Sequence, residues 1–235
     1  MIPKTIHYCW FGKSELPPLA KKCIASWKKY LPDYEIKEWN ESNYDITKNA
    51  YMEAAYKEKK FGFVPDYIRS DLIYKYGGFY FDTDVEVIKP LDSLLKYKGI
   101  MGFESNEFVN GGLIVAGEKG MEIFKEMRDI YDGVNFYNKD GSLNLLPSPV
   151  YNTEVLVRHG LKRNGKLQEI AGITIFPTDY FCPKPFEFGK IKITENTRTI
   201  HHFAASWIGP KQRFANFLIR IFGKKLVLYL WKKTR

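Results

Sequence analysis

Residues 65–87 constrain the fold more than any other part of this 235-residue chain. Pro65 stands where a helix's first turn tolerates it, Ile68, Leu72, Ile73 and Tyr76 recur at helical spacing, and Gly77-Gly78 ends the element. Phe79-Tyr80-Phe81 follows at once as a short apolar strand, then the turn Asp82-Thr83-Asp84, then VEVIKP, a strand closed by proline. A helix that hands directly into a buried strand with a polar exit turn belongs in an open α/β sheet.

The flanks extend the pattern. Residues 5–11 read as a first strand ending at Gly12. Pro17 and Pro18 open a helix whose apolar positions Leu19, Cys23, Trp27 and Leu31 recur every four residues, and residues 34–39 alternate like a second strand. A helix is expected over 50–60, strands over 99–104 and 112–116, and a helix over 122–131. A loop over 132–144, a helix over 152–159 and late strands over 170–176 and 199–203 complete the expectation. Such a sheet binds ligands at the carboxyl ends of its strands.

The net charge of +9 is not spread evenly. From Asn196 onward there is no Asp or Glu but nine of the 36 Lys and Arg residues, so the remainder balances 27 basic against all 27 acidic groups. A nucleic-acid-binding domain would carry its positive charge along the body; here it is confined to the end, and no nucleic-acid partner is expected. Phe214, Phe217, Leu218, Ile221 and Phe222 fall at helical spacing among Arg213, Arg220, Lys224 and Lys225. Residues 226–231 are then continuously apolar. This suits an amphipathic segment lying on an anionic membrane face or packing on protein. The division expected is a catalytic domain over 1–210 and a basic segment over 211–235.

Cys9, Cys23 and Cys182 are odd in number and widely spaced, which argues against a zinc ribbon or a disulfide framework and for reduced thiols. The opening residues lack a signal peptide's apolar run, and no stretch reaches the roughly 18 apolar residues of a membrane span. The expected location is cytoplasmic, peripheral on the inner face of the membrane.

Asp82 and Asp84 flank one residue on a turn leaving a buried strand, so both carboxylates point to one side. Mg2+ or Mn2+ needs such hard oxygen ligands and leaves positions for phosphate oxygens. Upstream, Asp66 and Arg69 share a helix face; spacing alone leaves the pair open between an exposed i,i+3 ion pair worth little and a feature of the helix's first turn, where an Asp suits the dipole.

The run from Pro65 to Asp84, PDYIRSDLIYKYGGFYFDTD, resembles the DXD-containing sugar transferases of glycosyltransferase family 32, which include capsular-polysaccharide enzymes and fungal initiating mannosyltransferases. The bacterial glucosylating toxins share a related core. The resemblance implies a GT-A fold, a single Rossmann-like α/β domain with a mostly parallel central sheet. It also implies transfer from a UDP- or GDP-sugar to a glycan or lipid-linked glycan acceptor, with retention of configuration and a divalent metal, in capsular or cell-surface polysaccharide synthesis. By that resemblance Trp10 stacks on the base, Asp66 and Arg69 bind the donor, and Asp82 is shared between donor and metal. Asp84 is then the direct ligand, and catalysis rests on Asp82, Asp84 and Arg69. Residues 200–207, IHHFAASW, are similar to the family's closing motif, making His201 a metal ligand, with His202 the alternative, and Ser206 and Trp207 donor contacts. Asn110 and Gly111 match a segment near the donor sugar. Where the family carries Gly-Pro this chain has Ser148-Pro149, which puts that pocket role in doubt. No nucleophile is identified; Glu154, Asp140 and Asp179 are unplaced carboxylates.

Two other readings fit parts of the pattern. A sugar nucleotidyltransferase or pyrophosphorylase also pairs carboxylates with a metal on an α/β sheet, but wants a Gly-rich phosphate loop that FGKSELPP represents poorly. A non-enzymatic membrane-binding module would need only the basic segment.

Overall fold

The computed structural model describes residues 1–184 and 190–204. Ser206, Trp207 and the basic segment 211–235 lie outside the described residues. Seven strands form one sheet in the order β2-β1-β3-β6-β5-β8-β7, made by β1 (Thr5–Cys9), β2 (Glu35–Trp39), β3 (Gly78–Tyr80), β5 (Gly99–Gly102), β6 (Val115–Gly117), β7 (Gln168–Ile170) and β8 (Ile173–Phe176). β2, β1, β3, β5 and β8 run one way, while β6, wedged between β3 and β5, and the edge strand β7 run antiparallel to their neighbours. This is the mostly parallel α/β sheet that the sequence predicts.

Parallel strands need a crossover. Helix α1 (Pro18–Tyr30) supplies it between β1 and β2, burying Ala20, Cys23 and Trp27 and bonding Trp27 Nε1 to the Val85 carbonyl at 2.7 Å. Between β2 and β3 come α2 (Ala50–Lys57) and α3 (Pro65–Tyr76). α4 (Glu122–Asp129) and α5 (Ser148–Arg158) follow β6, and a single turn, α6 (Thr178–Phe181), follows β8. Both sheet faces are covered: Tyr80, Met101 and Val115 enter a core beneath α2–α5, while Phe79, Ile100 and Ala116 enter the opposite core with Trp27 and Phe181. That alternation along β3, β5 and β6 is the two-residue period of a strand buried on both sides.

α3 departs from a simple apolar stripe. Every residue from Pro65 to Ile73 is buried, including Asp66, Arg69, Ser70 and Asp71. Asp71 is satisfied structurally by Tyr44 Oη at 2.6 Å, Lys75 Nζ at 2.7 Å and Arg128 Nη1 at 3.2 Å. Tyr76, expected on the buried stripe, is instead half exposed and stacks on Trp39 with ring centroids 5.6 Å apart, because the last turn of α3 lies beside the Trp39 end of β2. Gly77 then caps the helix at φ 68°, its N–H bonding the Ile73 carbonyl. Gly78 follows at φ 95°, where a Cβ would lie 2.6 Å from the Thr5 carbonyl oxygen. Only glycine lets the chain turn this closely onto β1.

Other expectations shift. The single strand over 170–176 is a hairpin, β7 and β8, joined by Ala171 (φ 49°) and Gly172 (φ 81°), the positive-φ pair of a tight primed turn. The strand expected over 112–116 begins only at Val115, since residues 110–113 form a turn. α5 starts a turn earlier than expected, at Ser148.

Candidate active site

The site lies where β3 ends. Phe81 N–H bonds the His7 carbonyl and Asp82 N–H the Gly112 carbonyl, and the turn closes through Val85 N–H to the Asp82 carbonyl at 3.0 Å. The chain re-emerges as β4 (Val85–Val87), which pairs antiparallel with β9 (Thr199–His201) in a separate two-stranded sheet, Val85 opposite His201. That pairing delivers a residue from the far end of the sequence to the turn.

Asp84 Oδ1 stands 3.0 Å from Nε2 of His201, and oxygens of Asp82 and Asp84 lie with a His201 ring nitrogen within 4.8 Å of one another. His201 is 6% exposed, and among the described residues its Nδ1 has no hydrogen-bond partner. Burial opposes its protonation, but the charge and hydrogen bond of Asp84, with Asp82 and Glu104 behind, raise its pKa above the usual histidine value. His202, the alternative ligand, faces elsewhere: its Nε2 meets Glu86 Oε2 at 2.8 Å, and Glu86 also takes Lys22. The two adjacent histidines thus divide between the site and a surface network.

Arg69 organises the other half. Its guanidinium grips Asp82 in a fork, Nε and Nη2 to Oδ1 at 3.2 and 3.0 Å and Nη2 to Oδ2 at 3.0 Å. Nη1 reaches Asp66 Oδ1 at 2.6 Å and Ser148 Oγ at 2.9 Å. The pair that spacing alone left open is buried, Asp66 and Arg69 each 6% exposed, with Ser148 and Asp82 closing over it. Burial pushes the Asp66 carboxyl up to about 6, Arg69's charge pulling against it and Asp82's adding. Ser148, where the family carries Gly, is a hydrogen-bond partner of Arg69.

The remaining predicted residues are placed as follows. Asn110 is buried, its Oδ1 accepting from Gly112 N–H at 2.6 Å, which bends the loop so that a Cβ on Gly112 would run into Asp82 Oδ2. Gly111 lies between Asn152 and the stem of Arg69. Trp10, at the end of β1, is partly exposed, packs against the core on one side, and lines a shallow recess of about 310 Å³ with Lys13, Ser14, Glu38, Asn40, Glu41 and Ser42. Its indole N–H bonds the Ser14 carbonyl at 2.6 Å.

The three unplaced carboxylates are occupied elsewhere on the surface: Glu154 pairs with Arg163, Asp140 bonds Ser142 within its own loop, and Asp179 takes Thr194 and Asn196. The acid that sequence reasoning missed is Glu104, whose Oε2 accepts from Asn110 Nδ2 at 2.6 Å. Burial raises its pKa, against the Asn110 hydrogen bond and the charge of His201. Its only signal in the sequence is its place just after the apolar run GIMGF.

The three-residue group fits a divalent ion. Two carboxylates and an imidazole are a donor set that Mn2+ accepts, and three protein ligands leave positions for phosphate oxygens. Asp84 and His201, 3.0 Å apart, are placed so that both could serve as donors. Asp82 is held in a fork by Arg69, and its Oδ2, which accepts one hydrogen bond, keeps a lone pair facing the group. The three cysteines are free and buried, and burial raises each thiol to about 12, so none is a reactive group.

Comparison with known proteins bears on the same stretch. Residues 17–100 match the family described as the glycosyltransferase sugar-binding region containing DXD motif, which takes in Asp66, Arg69, Asp82 and Asp84. The fold is of the GT-A type, and the matched stretch carries the DXD turn. A curated relative, inositol phosphoceramide mannosyltransferase 3 of Schizosaccharomyces pombe, is 32% identical over 103 residues, 41% of this chain and 28% of its own, so the match spans little more than a quarter of that relative. Among solved structures, the PaToxG glycosyltransferase superposes with a TM-score of 0.51 at 19% identity over 67% of this chain and 69% of that one, which speaks for the fold. The family resemblance read from the sequence stands, and family and fold support sugar transfer.

Proposed function

We propose that the chain is a retaining glycosyltransferase that moves a hexose from a UDP- or GDP-sugar to a hydroxyl of a glycan or lipid-linked glycan. The observation that carries this reading is the convergence of Asp82, Asp84 and His201 beside the buried Arg69–Asp66 pair. Asp84 and His201 would hold Mn2+ or Mg2+, whose contribution is to neutralise the charge growing on the departing diphosphate.

The chain's own groups do the positioning. Arg69, locked by Asp66, Asp82 and Ser148, presents a fixed cation at the sugar side and cannot swing out to water. The Asn110–Gly112 turn brings bare backbone against Asp82, leaving room for a ligand to approach closely. Trp10's recess at the carboxyl ends of β1 and β2 suits a nucleobase, with an indole face to stack on.

The mannosyltransferase relative supports a sugar donor and an acceptor carried on lipid. A role in capsular or cell-surface polysaccharide synthesis, and attachment to the cytoplasmic membrane face through residues 211–235 beyond a catalytic domain of residues 1–210, belong to the same proposal and rest on the charge distribution of the sequence. The test is a panel of UDP- and GDP-sugars with Mn2+, scored for transfer and slow donor hydrolysis, with and without chelator. Turnover undiminished by chelator would remove the metal from the scheme. Exchange of a sugar 1-phosphate with a nucleoside triphosphate, without transfer from any sugar nucleotide, would favour a nucleotidyltransferase instead.

A further inference from the structure

Helix α5 presents three polar residues toward the site, and two have partners. Ser148 accepts from Arg69, and Thr153 Oγ1 accepts from Val109 N–H at 2.9 Å, fixing the helix against the loop that carries Asn110. Asn152 is different. It is 5% exposed, and among the described residues neither end of its amide makes a hydrogen bond.

Its place in the fold is well defined. Four residues separate it from Ser148, so both stand on one face of α5. A Cβ on Gly111 would meet Asn152 Nδ2 at 3.0 Å and Arg69 Cδ at 3.7 Å, so the amide and the arginine stem flank the same glycine. The amide atoms of Asn152 are not sealed off from solvent, so water in the site, or the polar groups of a ligand entering it, are their partners.

We propose that Asn152 is a specificity-determining residue for the transferred sugar, its amide pairing with two neighbouring hydroxyls of the hexose held between Arg69, Ser148 and the Gly111 turn. The proposal rests on the sugar-nucleotide reading given above. A carboxamide offers an N–H edge and a C=O edge side by side, and adjacent hydroxyls, each both donor and acceptor, satisfy the two together. A phosphate only accepts and would leave the carbonyl unpaired. The missing side chain at Gly111 keeps the amide reachable.

The test uses the full-length protein with Mn2+ and measures binding of UDP, GDP, UDP-glucose, UDP-galactose and GDP-mannose, together with kcat/KM on whichever donor turns over. For Asn152→Ala, affinity for the nucleoside diphosphate should stay at the wild-type value while kcat/KM for the sugar nucleotide falls roughly 10- to 100-fold, the worth of one or two polar contacts. Asn152→Asp, nearly isosteric, keeps the acceptor and loses the N–H edge; it should fold normally and lose part of the same discrimination. A donor deoxygenated at the contacted position should be used equally by wild type and Asn152→Ala. Equal losses for diphosphate and sugar nucleotide, or no loss in either variant, would overturn the assignment. Wild-type protein that turns over no sugar nucleotide would remove the underlying function as well, whereas active wild type with unchanged variants removes only the role of Asn152.

Discussion

Asp82 and Asp84 are two residues apart and do different work. Asp84 faces His201, whereas Asp82 is clasped by Arg69, so their substitutions should separate. Asp84→Asn keeps the shape and removes the charge; metal-dependent turnover should fall by on the order of 100-fold or more, with little change in melting temperature. Full activity in that variant would sink the ligand assignment. Arg69→Lys retains a positive charge but cannot make the fork, and leaves parts of Asp66, Asp82 and Ser148 unpaired in a buried site. Urea unfolding should show a loss of about 1–3 kcal/mol, the scale for unsatisfied buried polar groups. A variant as stable as wild type would mean that the fork adds nothing to the fold. The DXD turn was legible in the sequence because its spacing is local, whereas Asp66 and Arg69 entered only through the family resemblance, since spacing does not reveal their burial. Glu104 and Asn152 were not legible, since nothing near either residue in the chain distinguishes it from an ordinary loop acid or helix amide until Asn110 and Gly111 are set beside them.

Among the elements, α3 was readable because proline and glycine punctuate it, yet the reason its polar residues are buried lies in α4, α5 and the DXD turn. The hairpin of β7 and β8 was misread as one strand because ITIF alone has strand composition, and the breaking Ala171-Gly172 pair precedes it. Two predictions belong at this level. Gly112→Ala places a methyl against Asp82 Oδ2, so it should displace that carboxylate from Arg69 and cost turnover while far-UV circular dichroism stays unchanged. Unaltered kinetics would show that the turn yields more readily than its packing implies. His7, buried in β1, donates from Nε2 to the Gly77 carbonyl at 3.0 Å and accepts from Trp39 Nε1 at 3.1 Å, so both ring nitrogens are committed in the neutral form. Burial lowers its pKa to about 4. The unfolded chain therefore binds this proton first, near pH 6.5, and the stability that His7 contributes is full above that pH and lost as pH falls toward 4. That is about 3 kcal/mol by linkage, an upper figure. Urea midpoints at pH 7 and 4.5 should differ less in His7→Asn than in wild type; an equal difference would assign the acid sensitivity elsewhere.

For the whole molecule, the sequence already divided a neutral body from a basic end, and no helix among the described residues is long and apolar enough to cross a membrane. Deleting residues 212–235 should move the protein from membrane to soluble fractions while leaving Mn2+-dependent donor hydrolysis intact; an unchanged distribution would favour a segment that packs on protein. What the sequence could not show is that residues 85–87 meet residues 199–201, because strand pairing between β4 and β9 leaves no trace in local periodicity. That pairing has a consequence in time. A chain emerging from the ribosome at about 5–20 residues per second has both aspartates out well before Thr199–His201 exists, and contacts across such a span close late. The imidazole thus arrives after the rest of the donor pocket has had the opportunity to pack, and an ion would find its third protein ligand only once synthesis has passed His201. A product ending before His201 would carry the DXD turn without that imidazole.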